Sequence, residues 1–156
     1  MNGFGRAVVR GAGALLVALS VGNACASEFT DRVERVFSPT IIRSADESGS
    51  TGKVVLKVPD RHPEYFETGD KANKIFAIDT VRIFRDVPYL QRLIVTVPRE
   101  QGSQTVDVTR SQVEQYYDIK LADMEGNLDV WRESFSGRYD NKKSRSGFVE
   151  KFATEK

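Results

Sequence analysis

A single histidine, His62, is the one side chain of this 156-residue chain that can move a proton near neutral pH without a large pKa shift. It stands in the run Asp60-Arg61-His62-Pro63-Glu64-Tyr65, with Glu67 just beyond. Neighbouring carboxylates can orient an imidazole as a general base, and an aromatic beside them can contact a ligand. The binding candidates are therefore Asp60, His62, Glu64 and Tyr65. The plainer reading is a surface-loop histidine followed by a turn proline, because a lone histidine without a placed partner meets no geometric test for a site. No residue is given a catalytic role.

Other chemistry is thinly represented. There is no Gly-x-Ser-x-Gly elbow, no His-Glu-x-x-His and no Gly-x-x-x-x-Gly-Lys phosphate loop. Zinc would have His62 and carboxylates only, a poor set for that metal, so neither metal nor cofactor is expected. The run Asp123-Met124-Glu125-Gly126-Asn127-Leu128-Asp129 looks superficially like a calcium loop. Its glycine falls at the wrong loop position, and Ser134 stands where a bidentate glutamate is needed, so it reads as a turn with an Asn cap. Lys142, Lys143 and Arg145 form the densest basic cluster. They read as an anion site or, more simply, as the solvated face of a helix. Trp131, Phe135 and Tyr139 recur at helical spacing and are read as core, with ring stacking on a ligand as the alternative. Tyr116 and Tyr117 are adjacent and must point about 100° apart on a helix, so at least one faces solvent.

The first 26 residues have the order of a secretory signal peptide. Arg6 and Arg10 precede an apolar run from Ala12 to Val21, and Ala24-Cys25-Ala26 precedes Ser27. Cleavage between Ala26 and Ser27 removes the sole cysteine, and with it thiolate catalysis and thiolate metal ligation. A competing reading keeps Cys25 as an acylated first residue of a lipoprotein. Small Ala24 before it fits, whereas Gly22 and Asn23 fit poorly. The chain has 23 Lys and Arg against 22 Asp and Glu. Losing Arg6 and Arg10 leaves one more acid than base, which argues against nucleic-acid binding. The expected location is the bacterial periplasm or the medium, with a membrane-anchored lipoprotein as the alternative. No transmembrane segment is expected in the mature chain, since a span needs roughly 20 apolar residues.

The elements that must carry the loop are read from periodicity. Phe29, Val33 and Phe37 predict a short helix over 28–37. Ser48-Gly49-Ser50-Thr51-Gly52 has linker composition, so residues 27–52 are read as a short helix and flexible linker, and 53–156 as a single α+β domain. Strands are expected at Val54–Val58, Thr80–Arg85, Arg92–Val97 and Thr105–Thr109, the last three as a meander. Thr109-Arg110-Ser111-Gln112 has capping-box form and opens the helices that follow. The expected fold is α+β: a small antiparallel sheet, three-strand meander plus one further strand, with the C-terminal helices packed on one face. Export without a catalytic constellation suggests a binding or assembly module that contacts another envelope protein or a small ligand. The alternatives are a small hydrolase using His62 with a neighbouring carboxylate, and a lipid-anchored structural lipoprotein through Cys25.

Overall fold

A computed structural model describes residues 27–156. Ala24, Cys25 and Ala26 lie outside the described residues. Ser27 lies inside them and accepts a hydrogen bond from the Thr30 N–H, capping α1 (Glu28–Val36). A short 3-10 turn (Pro39–Ile41) leads into β1 (Ile42–Ser48), which turns through Gly49 and Ser50 into β2 (Thr51–Leu56). The run with linker composition is thus the tip of a hairpin. Its glycine and serines are there for the turn, with Gly49 at φ +60°, where L side chains are strained.

The chain then crosses over. Helix α2 runs over 71–86 as α-helical Lys71–Lys74, a π-helical turn Ile75–Asp79, and α-helical Thr80–Asp86. It delivers the chain to β3 (Arg92–Arg99), which lies parallel to β2. β4 (Gly102–Thr109) returns antiparallel to β3. Three helical segments follow: α3 (Arg110–Tyr117), the short α4 (Leu121–Met124), and α5 over 128–139, whose middle Arg132–Ser136 is again π-helical. Last come α6 (Lys142–Phe152) and β5 (Ala153–Glu155), which adds to β4. The sheet order is β1-β2-β3-β4-β5.

The α+β class is as expected, but the sheet has five strands and is mixed. The expected strand at Thr80–Arg85 is helix. Its alternation of Val81 and Ile83 with Arg82 belongs to a longer segment that is apolar nearly all round. Ile75, Phe76, Ala77, Ile78, Val81, Ile83, Phe84 and even Arg85 are buried. Its polar stripe is narrow, made by Lys71, Lys74, Asp79, Arg82 and Asp86, so most of the helix is apolar and a six-residue window of it can mimic a strand. Because that segment is a crossover helix, β2 and β3 run parallel instead of forming the meander.

One sheet face is apolar and covered. Across the register Gly52, Leu93 and Val108 align, as do Val54, Val95 and Val106, and all of them are buried. Gly52 is required at its place, since a Cβ there would fall 2.5 Å from the Phe29 ring. The opposite face carries Lys53, Val55, Ile94, Thr96, Thr105 and Asp107, none of them buried. There Thr96 and Thr105 share a 3.0 Å hydrogen bond and Arg92 binds Asp107 in a bidentate pair.

The aromatic stripe of α5 goes inward, with Trp131 and Phe135 buried and Tyr139 half-buried. Tyr117 is the buried tyrosine of its pair, and Tyr116 is exposed. The Tyr117 ring stacks on Phe148 at 5.5 Å and meets Phe135 edge-on at 4.9 Å. Its hydroxyl donates to the carbonyl of Ala77 inside the π-helical turn, at 3.0 Å. The Thr80 hydroxyl donates to Ile75 O in the same turn, at 3.3 Å. Buried hydroxyls therefore find their partners on the carbonyls of the widened turn, where Ile75 O also takes the Thr80 backbone N–H.

Arg110, the first residue of α3, ties this crossover to the sheet. Its guanidinium donates to the carbonyls of Phe84, Val87 and Leu90, and its N–H donates to Gln91 O at 2.8 Å. Of these, Phe84 O is left without an intrahelical partner because Pro88 has no N–H to give it, Val87 O also takes the Leu90 N–H, and Leu90 and Gln91 lie on the approach to β3. Burial pulls the Arg110 pKa down, with Glu114 and Glu125 acting against it. Arg110→Met should therefore lower unfolding free energy by about 2–3 kcal/mol, since the carbonyls of the buried residues Phe84 and Leu90 lose their charged donor and Val87 keeps only the Leu90 N–H. Arg110→Lys should recover only part of this, because a point charge cannot match the guanidinium fork. Urea denaturation of the three proteins checks the order; equal midpoints would refute it.

Candidate functional site

The segment from Lys57 to Asp70 joins β2 to α2 and contains all four candidates. It is a succession of tight turns: His62 N–H to Pro59 O, Tyr65 N–H to His62 O, and Glu67 N–H to Glu64 O, each 3.0 Å. Its base is held where Lys57 N–H donates to Ile41 O at 2.8 Å. Phe66 is buried, and the Glu67 carboxylate binds Arg99 at 3.0 Å and the Glu100 N–H at 3.0 Å, fixing the loop to the β3–β4 turn. Asp70 ends the segment in the left-handed region at φ 57°. Its carboxylate accepts from Asn73 Nδ2 at 2.7 Å and from Arg145 Nε at 2.8 Å.

Between these anchors the candidates separate into two clefts. His62, Glu64 and Tyr65 line one of about 380 Å³ together with Arg61, Thr68 and Lys71. Asp60 lines another of about 450 Å³ with Thr40, Lys57 and Arg61, and His62 borders both. Asp60, His62 and Glu64 are exposed, and Tyr65 is half-buried. The Tyr65 ring meets Phe66 edge-on at 5.0 Å, and Lys71 Nζ lies 4.4 Å from its centroid. That ring is thereby a fixed platform capped by a cation. The His62 imidazole has no hydrogen-bonded partner among the described residues, and no carboxylate oxygen of those residues lies within 4.0 Å of it. The arrangement brings together an aromatic face, an imidazole and two cations, with one carboxylate beside them. This suits contact with a ligand better than proton transfer through an oriented base.

Lys71, Arg61 and Thr68 escape sequence reasoning. Lys71 belongs to the next helix and Thr68 sits beyond the expected core of the site. A run of turn residues carries no periodicity to show which side chains converge.

The basic cluster near the C-terminus dissolves in three dimensions. Arg145 is taken up by Asp70 at 2.8 Å and Asp140 at 2.7 Å, while Lys142 and Lys143 are exposed. The calcium-like run is a turn in which Gly126 has φ 65° and Asn127 accepts from the Val130 N–H at 3.1 Å. Among the described residues no three His, Cys, Asp or Glu side chains gather closely enough to hold a metal ion. None of the described helices is long and apolar enough to cross a membrane.

A second charged cluster is invisible in the sequence. Asp79 closes the π-helical turn of α2 with a side chain only 13 % exposed, 3.3 Å from Arg82. Lys74 and Asp140 are its other charged neighbours, and Lys74 reaches Asp140 at 3.9 Å. Burial pushes the Asp79 pKa up to about 6, against the pull of Arg82 and Lys74 and with a smaller push from Asp140.

Compared with protein-family models, with curated proteins and with solved structures, the chain matches none.

Asp79 gives the fold a pH dependence of definite sign. Between pH 3.8 and about 6 the folded protein keeps a proton that the unfolded chain has lost. Its contribution to stability therefore declines as pH rises through this window and is flat above it. Asp79→Asn should remove a decline of about 2–3 kcal/mol, at 1.36 kcal/mol per pKa unit. Denaturation midpoints at pH 4.5 and pH 7 check this; parallel pH profiles for the two proteins would refute it.

Proposed function

We propose that this chain is an exported protein of the bacterial envelope that acts as a non-enzymatic binding module. In this reading the Asp60–Lys71 segment is its contact surface, and another envelope protein or a small ligand is its partner. Export rests on the signal-like order of residues 1–26. The binding reading rests on one observation. A loop pinned by Phe66, by Glu67 to Arg99 and by Asp70 to Arg145 presents His62, Tyr65 and Lys71 around a cleft of about 380 Å³. Loops on a rigid scaffold are where binding residues concentrate. Fixing the loop before binding lowers the ordering cost that would otherwise oppose association. A partner with an anionic group and a flat apolar part would satisfy Lys71, Arg61 and the Tyr65 ring together.

A photo-crosslinking residue in place of Tyr65, in intact cells, should give one discrete adduct. The same probe in place of Lys53 on the open sheet face should not. Lys71→Ala should reduce the adduct at position 65 several-fold without altering the fold. A pattern independent of probe position, or no adduct beyond background, would refute the reading. Intact mass of the envelope-extracted protein checks export separately: a chain beginning at Ser27 is expected, and an acylated Cys25 would make it a lipoprotein.

A further inference from the structure

β1 is an outermost strand, so one side of it has no strand partner among the described residues. The hairpin decides which of its backbone groups are spare. Gly49 and Ser50 form a two-residue turn, so the flanking pair Ser48 and Thr51 exchanges both hydrogen bonds. Alternation then directs the Asp46 groups to Lys53 on β2, and the N–H and C=O of Ala45 and Glu47 to the open side. At the far end Arg43 is the extra residue of a bulge, lying between the pairs Ile42–Leu56 and Ser44–Val55.

Read from that open side, the strand is complementary to itself. An antiparallel copy centred on Ala45 sets Ala45 against Ala45 and Arg43 against Glu47, twice, by symmetry. A copy centred on Glu47 would set like charges against each other. Arg43 and Glu47 are both exposed, and Ala45 at the centre is small. Arg43 takes part in no ion pair with the described residues. Glu47 accepts one hydrogen bond, at Oε2, from the Tyr89 hydroxyl at 2.6 Å, leaving Oε1 for a second donor. Charges on an edge strand ordinarily keep edges apart. Here, of the two registers centred on a residue whose backbone groups face the open side, only the one at Ala45 sets opposite charges together. We infer that β1 pairs with β1 of a second copy across a two-fold axis at Ala45, joining the two sheets into one. An isologous contact of this kind closes on itself and stops at two copies. The inference is independent of the loop reading, because β1 contributes nothing to the loop clefts.

A contact of one short strand falls well below the roughly 1,600 Å² of a standard interface, so the dimer should be weak and concentration-dependent. Sedimentation equilibrium of the purified protein, from about 1 to about 500 μM, should show monomer passing to dimer. Arg43→Glu alone and Glu47→Arg alone should each raise the dissociation constant about tenfold or more, because each places two like-charged pairs in register. The double variant should return it to within about threefold of the parent, since the pairs are restored with their signs exchanged. Circular dichroism of each variant reports the fold separately. A parent that stays monomeric throughout overturns the inference. So does a dimer indifferent to the single reversals, or a folded double variant that stays as weak as the singles.

Discussion

The fold turns on how α2 is returned to the sheet, and one guanidinium accomplishes it. α2 is buried between the sheet and the outer helices, and its C-terminal carbonyls end inside the protein. Water reaches them poorly, so the chain needs a donor that can serve several carbonyls at once. Arg110 is that donor. It begins the helix that follows β4, so its bonds to Phe84, Val87 and Leu90 fix three things together: the end of the crossover, the entry to β3 and the exit from β4. The register of the two hairpins against each other is held beside that point, by the β2–β3 ladder and by the Gln91 and Arg92 N–H groups on Ser50 O. A carboxylate partner would neutralise Arg110 but leave the Phe84 and Leu90 carbonyls unpaired.

The helical half of the chain was legible because its signals are local. The Thr109–Gln112 capping box and the Asn127 cap are formed by residues three apart, and both are present. The stripe of Trp131, Phe135 and Tyr139 needs only the helical period. β2, β3 and β4 were legible because each has one covered face and one open face, so the period of two survives in the side chains. α2 was not, because its polar stripe is one narrow line of Lys74, Asp79 and Arg82, and a short window shows little contrast between its faces. β1 was hidden for the opposite reason. Ile42–Ser48 is a largely polar edge strand with a bulge, and its composition is that of a loop.

The site was legible in outline only. Loss of pattern from Asp60 to Asn73 reads as a long loop; Lys71, Ala72 and Asn73 already belong to α2, and the loop ends at Asp70. What gives it a definite shape comes from far along the chain. The Glu67–Glu100 contact spans 33 residues and the Asp70–Arg145 contact 75. No spacing rule within a sequence window relates such residues. The same holds for Asp79, whose environment is made by a π-helical turn and by Asp140 on the approach to α6. The basic run that suggested an anion site shows the converse: proximity in sequence implied a patch, but the arginine was already engaged.

The parallel pairing of β2 with β3 has a consequence for the order of events during synthesis. The first hairpin is complete at Leu56, yet the apolar face formed by Gly52, Val54 and Leu56 is covered only in part, by Phe29 of α1, until α2 has followed and β3 has paired with β2. Antiparallel neighbours close over a few residues, but this pair waits for a whole crossover, and such distant pairings form late. A chain emerging N-terminus first therefore passes through a stage in which a finished hairpin shows a greasy surface. During that interval the N-terminal third is the part a chaperone would hold.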